Sequence, residues 1–354
     1  MDNNPVLLCH GGFFAIDKQS WAKVCALGIN PAVSYLVMAR GTLRDQRTTS
    51  WSTHAIEERT NIARHRAKAA IQALIDASLV RQDKGGSKPR YFLTGDEDNP
   101  DWIWLPNSLI DGASGETPPI ELVRQTQNPA AIRLFIELYH AQSLQLDCGI
   151  HWRKLRKEYT RTKVAEYGPL VIWGFKPGTL SVWPEPLAKP HLKGKVETVE
   201  VNGEKVNRDP GWQVFWDALK VLEQIGLVRF VGHLIDADTN EGEIIHPYAM
   251  QNGEPGENGI TGAAHRAAYA MLAEWQQKQI DGSGTWLIPV QRHLANVQLV
   301  GLVRLTYRAR TKATASWYDP AKWESWTKEY ARLEADVQAG KSISAPSLKT
   351  GSYG

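Results

Sequence analysis

The chain has 354 residues, 42% hydrophobic and 22% charged, with 41 Lys and Arg against 38 Asp and Glu. This length predicts two or three domains, each with its own core, and the composition excludes long disordered stretches. A net charge of +3 does not by itself establish a polyanionic partner, so any such partner must be read from how the charge is distributed.

Three cysteines, Cys9, Cys25 and Cys148, are odd in number and far apart, which fits neither a disulfide framework nor a zinc site. No apolar run approaches about 18 residues, and no basic segment leads into an apolar core at the start, so the expectation is a cytoplasmic protein without a membrane partner. Fourteen tryptophans are expected mainly as core and hinge anchors.

In chain order, residues 1–27 read as an N-terminal extension with a short strand and a helix. "PAVSYLVMARGT" then places Val33, Leu36, Val37 and Arg40 at helical spacing, with Pro31 in the first turn. "TTSWST" is β-prone and short, and Ser52 or Thr53 is placed to cap the helix "HAIEERTN". "ARHRAKAAIQALIDASLV" repeats Ala67, Ala70, Ile71, Leu74 and Ile75 with a helical period and crowds Arg64, His65, Arg66 and Lys68 into its first turns. "LVRQDKGGSKPRYFL" reads as strand, Gly85-Gly86 turn and strand.

That order, helix, short strand, two helices, hairpin, resembles the winged helix-turn-helix family over residues 28–95, with "RQDKGGSKPRYFL" as the wing. The resemblance implies that the second helix of the pair enters the major groove of DNA, which puts Arg64, His65 and Lys68 at base edges and phosphates. Arg59 and Arg66 would reach the backbone, and Lys84, Lys88 and Arg90 would flank the wing tip. The charge fits: residues 40–90 hold eleven Lys and Arg against five Asp and Glu.

Residues 96–127 read as a linker with one tryptophan-rich anchor. The pattern then restarts over residues 128–250. "NPAAIRLFIELYHAQ" opens like the first module, and "ALKVLEQIGLVRF" matches "AIQALIDASLVRQ" at its helix end and its turn into a strand. "GIHWRKLRKEYTRTKVAEY" falls near the place of the second helix, so Arg153, Lys154, Arg156, Lys157, Arg161 and Lys163 are expected as a cationic helix face that touches phosphates. An insertion of about residues 168–209 includes the hairpin "KVETVEVNGEKV" with an Asn-Gly turn, and Asp238, Asn240 and Gly242 form the expected second wing tip.

The region 251–340 reads as further α+β structure: a helix in "GAAHRAAYAMLAEWQQKQ", strands in "TWLIPV" and "VQLVGLVRLTYRAR", and a final helix in "DPAKWESWTKEYARLEADVQA". Arg308, Arg310 and Lys312 on alternating strand positions are a third candidate contact, and the tail 341–354 is expected to be disordered. The fold class is therefore α+β, tandem winged helix-turn-helix modules with an insertion and an extra C-terminal region.

Catalysis has little support. No His-Glu-x-x-His or Cys-x-x-Cys motif occurs, and the "GKS" at 340–342 lacks the glycine of a phosphate loop, Ala335 standing in its place. Tyr159 and Tyr167 lack the paired histidines of a rolling-circle nicking site. No cofactor, metal or catalytic residue is expected.

Paired modules of this kind resemble the initiators of plasmid replication, which implies a sequence-specific double-stranded DNA-binding protein of a plasmid or phage, acting in replication initiation and forming a homodimer. A transcriptional regulator of the same element is the nearest alternative, and a non-catalytic assembly protein that docks proteins through winged helices is another.

Overall fold

The computed structural model describes residues 12–83, 89–95, 99–113, 116–143, 149–181, 185–192, 196–237, 242–294, 296–308 and 320–343. Strand β1 (Phe13–Asp17) leads directly into α1 (Lys18–Ala26), because the Asp17 carboxylate accepts the Ser20 amide at 2.8 Å and starts the helix. Next comes α2 (Ile29–Arg40), in which residues 32–39 are all buried. A helix apolar on every side must be surrounded, and the rest of the first half is packed round it.

Strand β2 (Thr48–Thr49), α3 (Thr53–Thr60), α4 (Arg64–Asp76), β3 (Val80–Asp83) and β4 (Arg90–Leu93) follow in the expected order. The strands form one antiparallel sheet, β2-β4-β3, with Arg81 opposite Phe92 and Asp83 opposite Arg90. Ser52 occupies the N-cap of α3 without the expected side-chain bond, its carbonyl instead receiving the Ile56 amide.

Residues 96–127 are more structured than a linker. They supply β5 (Trp102–Pro106), which pairs with β1, then α5 (Ser108–Asp111) and α6 (Pro119–Gln125). Helix α7 (Pro129–Ala141) starts at Asn128, whose side chain accepts the amides of Ala130 and Ala131.

Where a cationic helix was expected, residues 156–167 form strand β6 (Arg156–Tyr167), paired with β7 (Leu170–Ser181). "EYTRTKVAEY" is rich in Tyr, Thr and Val, which fit a pleated surface better than a helix, and its charge had masked that preference. After α8 (Glu185–Ala188) and a 3₁₀ turn (Lys189–His191), β8 (Glu197–Val201) and β9 (Glu204–Arg208) form the expected Asn-Gly hairpin. Helix α9 (Pro210–Gln224) is capped by Asp209.

Strands β10 (Val228–Asp236) and β11 (Glu243–Pro247) pair as expected. They belong, however, to a six-stranded antiparallel sheet, β11-β10-β13-β6-β7-β12, completed by β12 (Trp286–Gln291) and β13 (Val297–Leu305). The expected insertion therefore provides β7, an inner strand of the main sheet. The single helix expected around 262–279 is two, α10 (Pro255–Ala270) and α11 (Glu274–Ile280), and α12 (Pro320–Gln338) packs along α10.

Two main cores result. One joins α1–α4, α6, α7 and α9, so the two repeat-like regions share a single interior. The other lies between the six-stranded sheet and helices α10 and α12. Where α10 meets the sheet, Arg304 on β13 donates to Glu257 at 2.8 Å, while Arg229 and Arg308 both pair with Glu254. Arg304 also donates to His233 Nε2 at 2.8 Å, so that ring carries its proton on Nδ1, facing the Val231 carbonyl. Burying several charges is tolerable only when they are paired in this way.

His246 is buried between the Pro247 carbonyl, 2.7 Å from Nδ1, and the Tyr330 hydroxyl, 2.8 Å from Nε2, and burial lowers its pKa to about 4. An unfolded histidine titrates near 6.5, so below that value the unfolded state binds a proton that the folded state does not. The contribution to stability is full above about 6.5 and is lost toward pH 4, at about 1.4 kcal/mol per pH unit. Urea unfolding of the native chain and of His246→Gln over this range should give slopes that differ by about one proton. Parallel slopes would contradict the assignment.

Candidate nucleic-acid interface

Helices α3 and α4 are joined by three residues. Asn61 ends α3 in the left-handed conformation at φ 51°, Ile62 is buried at 2% exposure, and Ala63 caps α4. The Asn61 amide donates to Glu121 on α6 at 2.6 Å, which ties the turn to the body of the first half. Helix α4 is thus held at its start, where its cations lie.

Ala67, Ala70, Ile71 and Leu74 form its buried stripe against α2, whereas Arg64, His65, Arg66, Lys68, Ala69 and Gln72 are exposed. At about 100° per residue, His65, Ala69, Gln72 and Asp76 point most directly away from the core, and the Gln72 side-chain amide donates to the Asp76 carboxylate at 2.8 Å. Arg64 and Lys68 lie on one flank of that ridge and Arg66 on the other. None of these four cationic or titratable side chains pairs with a carboxylate among the described residues.

The first turn of α4 contains no acidic residue. Cations at a helix N-terminus oppose its dipole, each by about 0.3–1 kcal/mol. First turns without an acid also occur in α1, α2, α3, α7 and α9, so what sets α4 apart is the cluster of Arg64, His65 and Arg66 there, where side chains and helix end both attract an anion.

Beside α4 lies the β3–β4 hairpin. Arg81 sits 5.0 Å from the centre of the Phe92 ring across the strand pair, and Arg90 is exposed. A groove between helix and hairpin is lined by Gln72, Ile75, Arg81 and Gln82. Lys84 and Lys88 lie outside the described residues. Gln72 and Arg81 lie outside the contacts expected from the sequence. The first is marked by its spacing from His65 and Ala69, and the second by a stacking partner visible only once the strand register is known.

Arg59 has a different role from the one expected. Its guanidinium lies 4.0 Å from the centre of the Trp51 ring, with Nη1 on Glu58 at 2.9 Å and Nε on Asp111 at 3.6 Å. Arg40 lies 5.5 Å from the same ring and donates twice to Asp111, at 2.9 and 2.7 Å. Gly41 leaves room for the indole, since a Cβ there would come within 2.3 Å of it. Arg59 therefore fastens α3 to the β2–α3 connection and to α5.

The second basic cluster is not a single face. Arg153 lies 5.3 Å from the Trp152 ring centre and Arg156 5.4 Å from it, the latter also bound to Glu158 at 2.6 Å. Lys157 sits 6.0 Å from the Phe230 ring, and Arg161 donates to the Val297 carbonyl while lying 4.3 Å from the Trp173 ring. Lys163 pairs with Glu166, which leaves Lys154 exposed in the turn before β6. These side chains are distributed along a turn and a strand, most of them engaged in packing or ion pairs. Helix α9 offers no substitute, because its exposed positions are Gln213, Asp217, Lys220, Glu223 and Gln224. Arg308 is buried on Glu254 and is not a surface contact, while Arg310 and Lys312 lie outside the described residues.

Among the described residues no group of three or more His, Cys, Asp or Glu side chains is placed to hold a metal ion. No helix among the described residues is long and apolar enough to cross a membrane.

The two classes of arginine differ in a measurable way. Arg59→Ala should lower unfolding stability by about 1–2 kcal/mol through loss of the Trp51 stack and its ion pairs. Arg64→Ala should change it by no more than about 0.5 kcal/mol, or raise it slightly, because it removes a charge opposed to the helix dipole. Denaturant unfolding of both variants checks this, and equal losses would contradict the division. No family model, curated protein or solved structure matches the chain.

Proposed function

We propose that the chain is a sequence-specific double-stranded DNA-binding protein that reads DNA through a winged helix-turn-helix at residues 28–95. The observation that carries this reading is the unpaired cationic start of α4, held in place by a turn tied to α6 and flanked by the β3–β4 hairpin. An α-helix with its side chains is about 10–12 Å across, and the major groove is about 12 Å wide. With α4 in that groove, His65 and Gln72 face the base edges, and Arg64, Lys68 and Arg66 face phosphates on either side. Arg81 and Arg90 then lie on the hairpin that follows the adjacent backbone. Glutamine can make two bonds to adenine, so Gln72, on exchanging its bond to Asp76 for a base, reads alongside His65 while Arg64 moves to the phosphates.

The wider reading places the protein in a plasmid or phage, working in the cytoplasm to initiate replication. Support for a second DNA-facing module is weaker: α7, α9 and the β10–β11 hairpin keep a helix, helix, hairpin order, but α9 presents no cationic face. Repeated direct sites beside the gene would mark an initiator, and a single palindrome a transcriptional regulator.

A duplex selected from random sequence provides the test. Binding should weaken steeply with salt, and Lys68→Ala should reduce the slope of log affinity on log salt by about 0.9 while weakening selected and random duplexes alike. Gln72→Ala should lose about 1–3 kcal/mol on the selected site and little on random DNA. Salt-insensitive or absent binding would overturn the proposal in favour of a protein-docking role.

A further inference from the structure

We propose that the chain forms a homodimer in which β9 pairs antiparallel with β9 of a second copy. This inference is independent of DNA binding. The β8–β9 ribbon is a separate two-stranded sheet, and of its ten strand residues only Val199 is partly covered. A lone two-stranded hairpin is at best marginally stable in water, and an uncovered strand edge is a template for another strand. Val201 and Val206 are 50% and 44% exposed on a ribbon to which the remainder of the chain contributes almost no cover.

The register identifies the occupant. Asn202 and Gly203 form the turn with φ values of 55° and 85°, and Val201 pairs with Glu204 across it. In a two-residue hairpin the pair flanking the turn is hydrogen-bonded, and bonded pairs then alternate. Val201–Glu204, Val199–Val206 and Glu197–Arg208 therefore bond inside the ribbon, and the backbone N–H and C=O groups of Lys205 and Asn207 point outward from β9.

Set antiparallel about Val206, β9 is complementary to itself. Lys205 of one copy exchanges backbone bonds with Asn207 of the other, Val206 meets its own counterpart, and Glu204 faces Arg208 in both directions. All of this follows from the order Glu-Lys-Val-Asn-Arg. The Val206 and Glu204–Arg208 positions are the non-bonded pairs, where side chains approach most closely. The edge of β8 lacks this property. Centred on Val199, it sets Glu197 against Val201 and Thr198 against Glu200, with no opposite charges.

The product is a four-stranded sheet, β8-β9-β9-β8, with Val199, Val201 and Val206 of both copies on one face and a two-fold axis through Val206. Arg208 also donates to Gln213 at 2.6 Å, and Asp209 caps α9, so the ribbon enters that helix with no intervening linker. A guanidinium has five donors, which leaves capacity for the carboxylate of the second copy.

Sedimentation equilibrium of the full chain, without DNA, tests the proposal. The mass should rise with concentration toward twice 39.6 kDa. Asn207→Pro removes an outward N–H while leaving the inner ladder intact, and should abolish association. Arg208→Glu should weaken association by roughly ten-fold, and the exchange Glu204→Arg with Arg208→Glu should recover most of that loss. Circular dichroism confirms that each variant is folded. A monomer at every concentration, a dimer indifferent to Asn207→Pro, or an exchange variant no tighter than Arg208→Glu would each overturn it.

Discussion

Eight successive residues of α2, from Ala32 to Ala39, are buried, and the arrangement of the first half depends on that constraint. A helix with no solvent face needs neighbours on every side, and β1, α1, α3, α4, α5, α6 and α7 all touch it. Helix α4 is one of those neighbours. Its Ala67, Ala70, Ile71 and Leu74 stripe is committed to the interior, so its remaining surface faces outward at a fixed angle. The cationic turn of α4 is therefore presented by a rigid body, which is what recognition of a groove requires.

The arginines divide by partner. Arg40 and Arg59 enclose Trp51 and share Asp111, and Arg229, Arg304 and Arg308 neutralise Glu254 and Glu257 inside the second half. Arg64 and Arg66 have no such role among the described residues, although they share a 13-residue helix with only one acid, Asp76. Under the proposed function, the phosphate backbone supplies in regular array the anions that these cations lack among the described residues.

How much of this was legible in the sequence depends on the range of the forces involved. The α4 periodicity, the Asn-Gly hairpin and the order of elements from α2 to β4 are local patterns, and the sequence displays them directly. The fate of residues 153–163 was not legible, because their dense charge obscures the Tyr, Thr and Val that favour a strand, and because β6 is completed not only by its hairpin partner β7 but by β13, far along the chain. Arg59 shows the same limit at the site. Its neighbours in sequence suggest a surface helix, and only folding brings Trp51 and Asp111 to it. The repeat signal in "ALKVLEQIGLVRF" corresponds to a real helix and strand, yet that strand enters a six-stranded sheet and its helix presents acids and amides.

In the proposed function one surface of the first half, and not the basic strand of the second, meets the nucleic acid. Hydrogen exchange of the full chain with and without a selected duplex tests it most directly. Protection on adding duplex should concentrate in residues 61–76 and 80–93 and leave residues 153–163 unchanged. Protection confined to 153–163, or none in α4, would contradict the account.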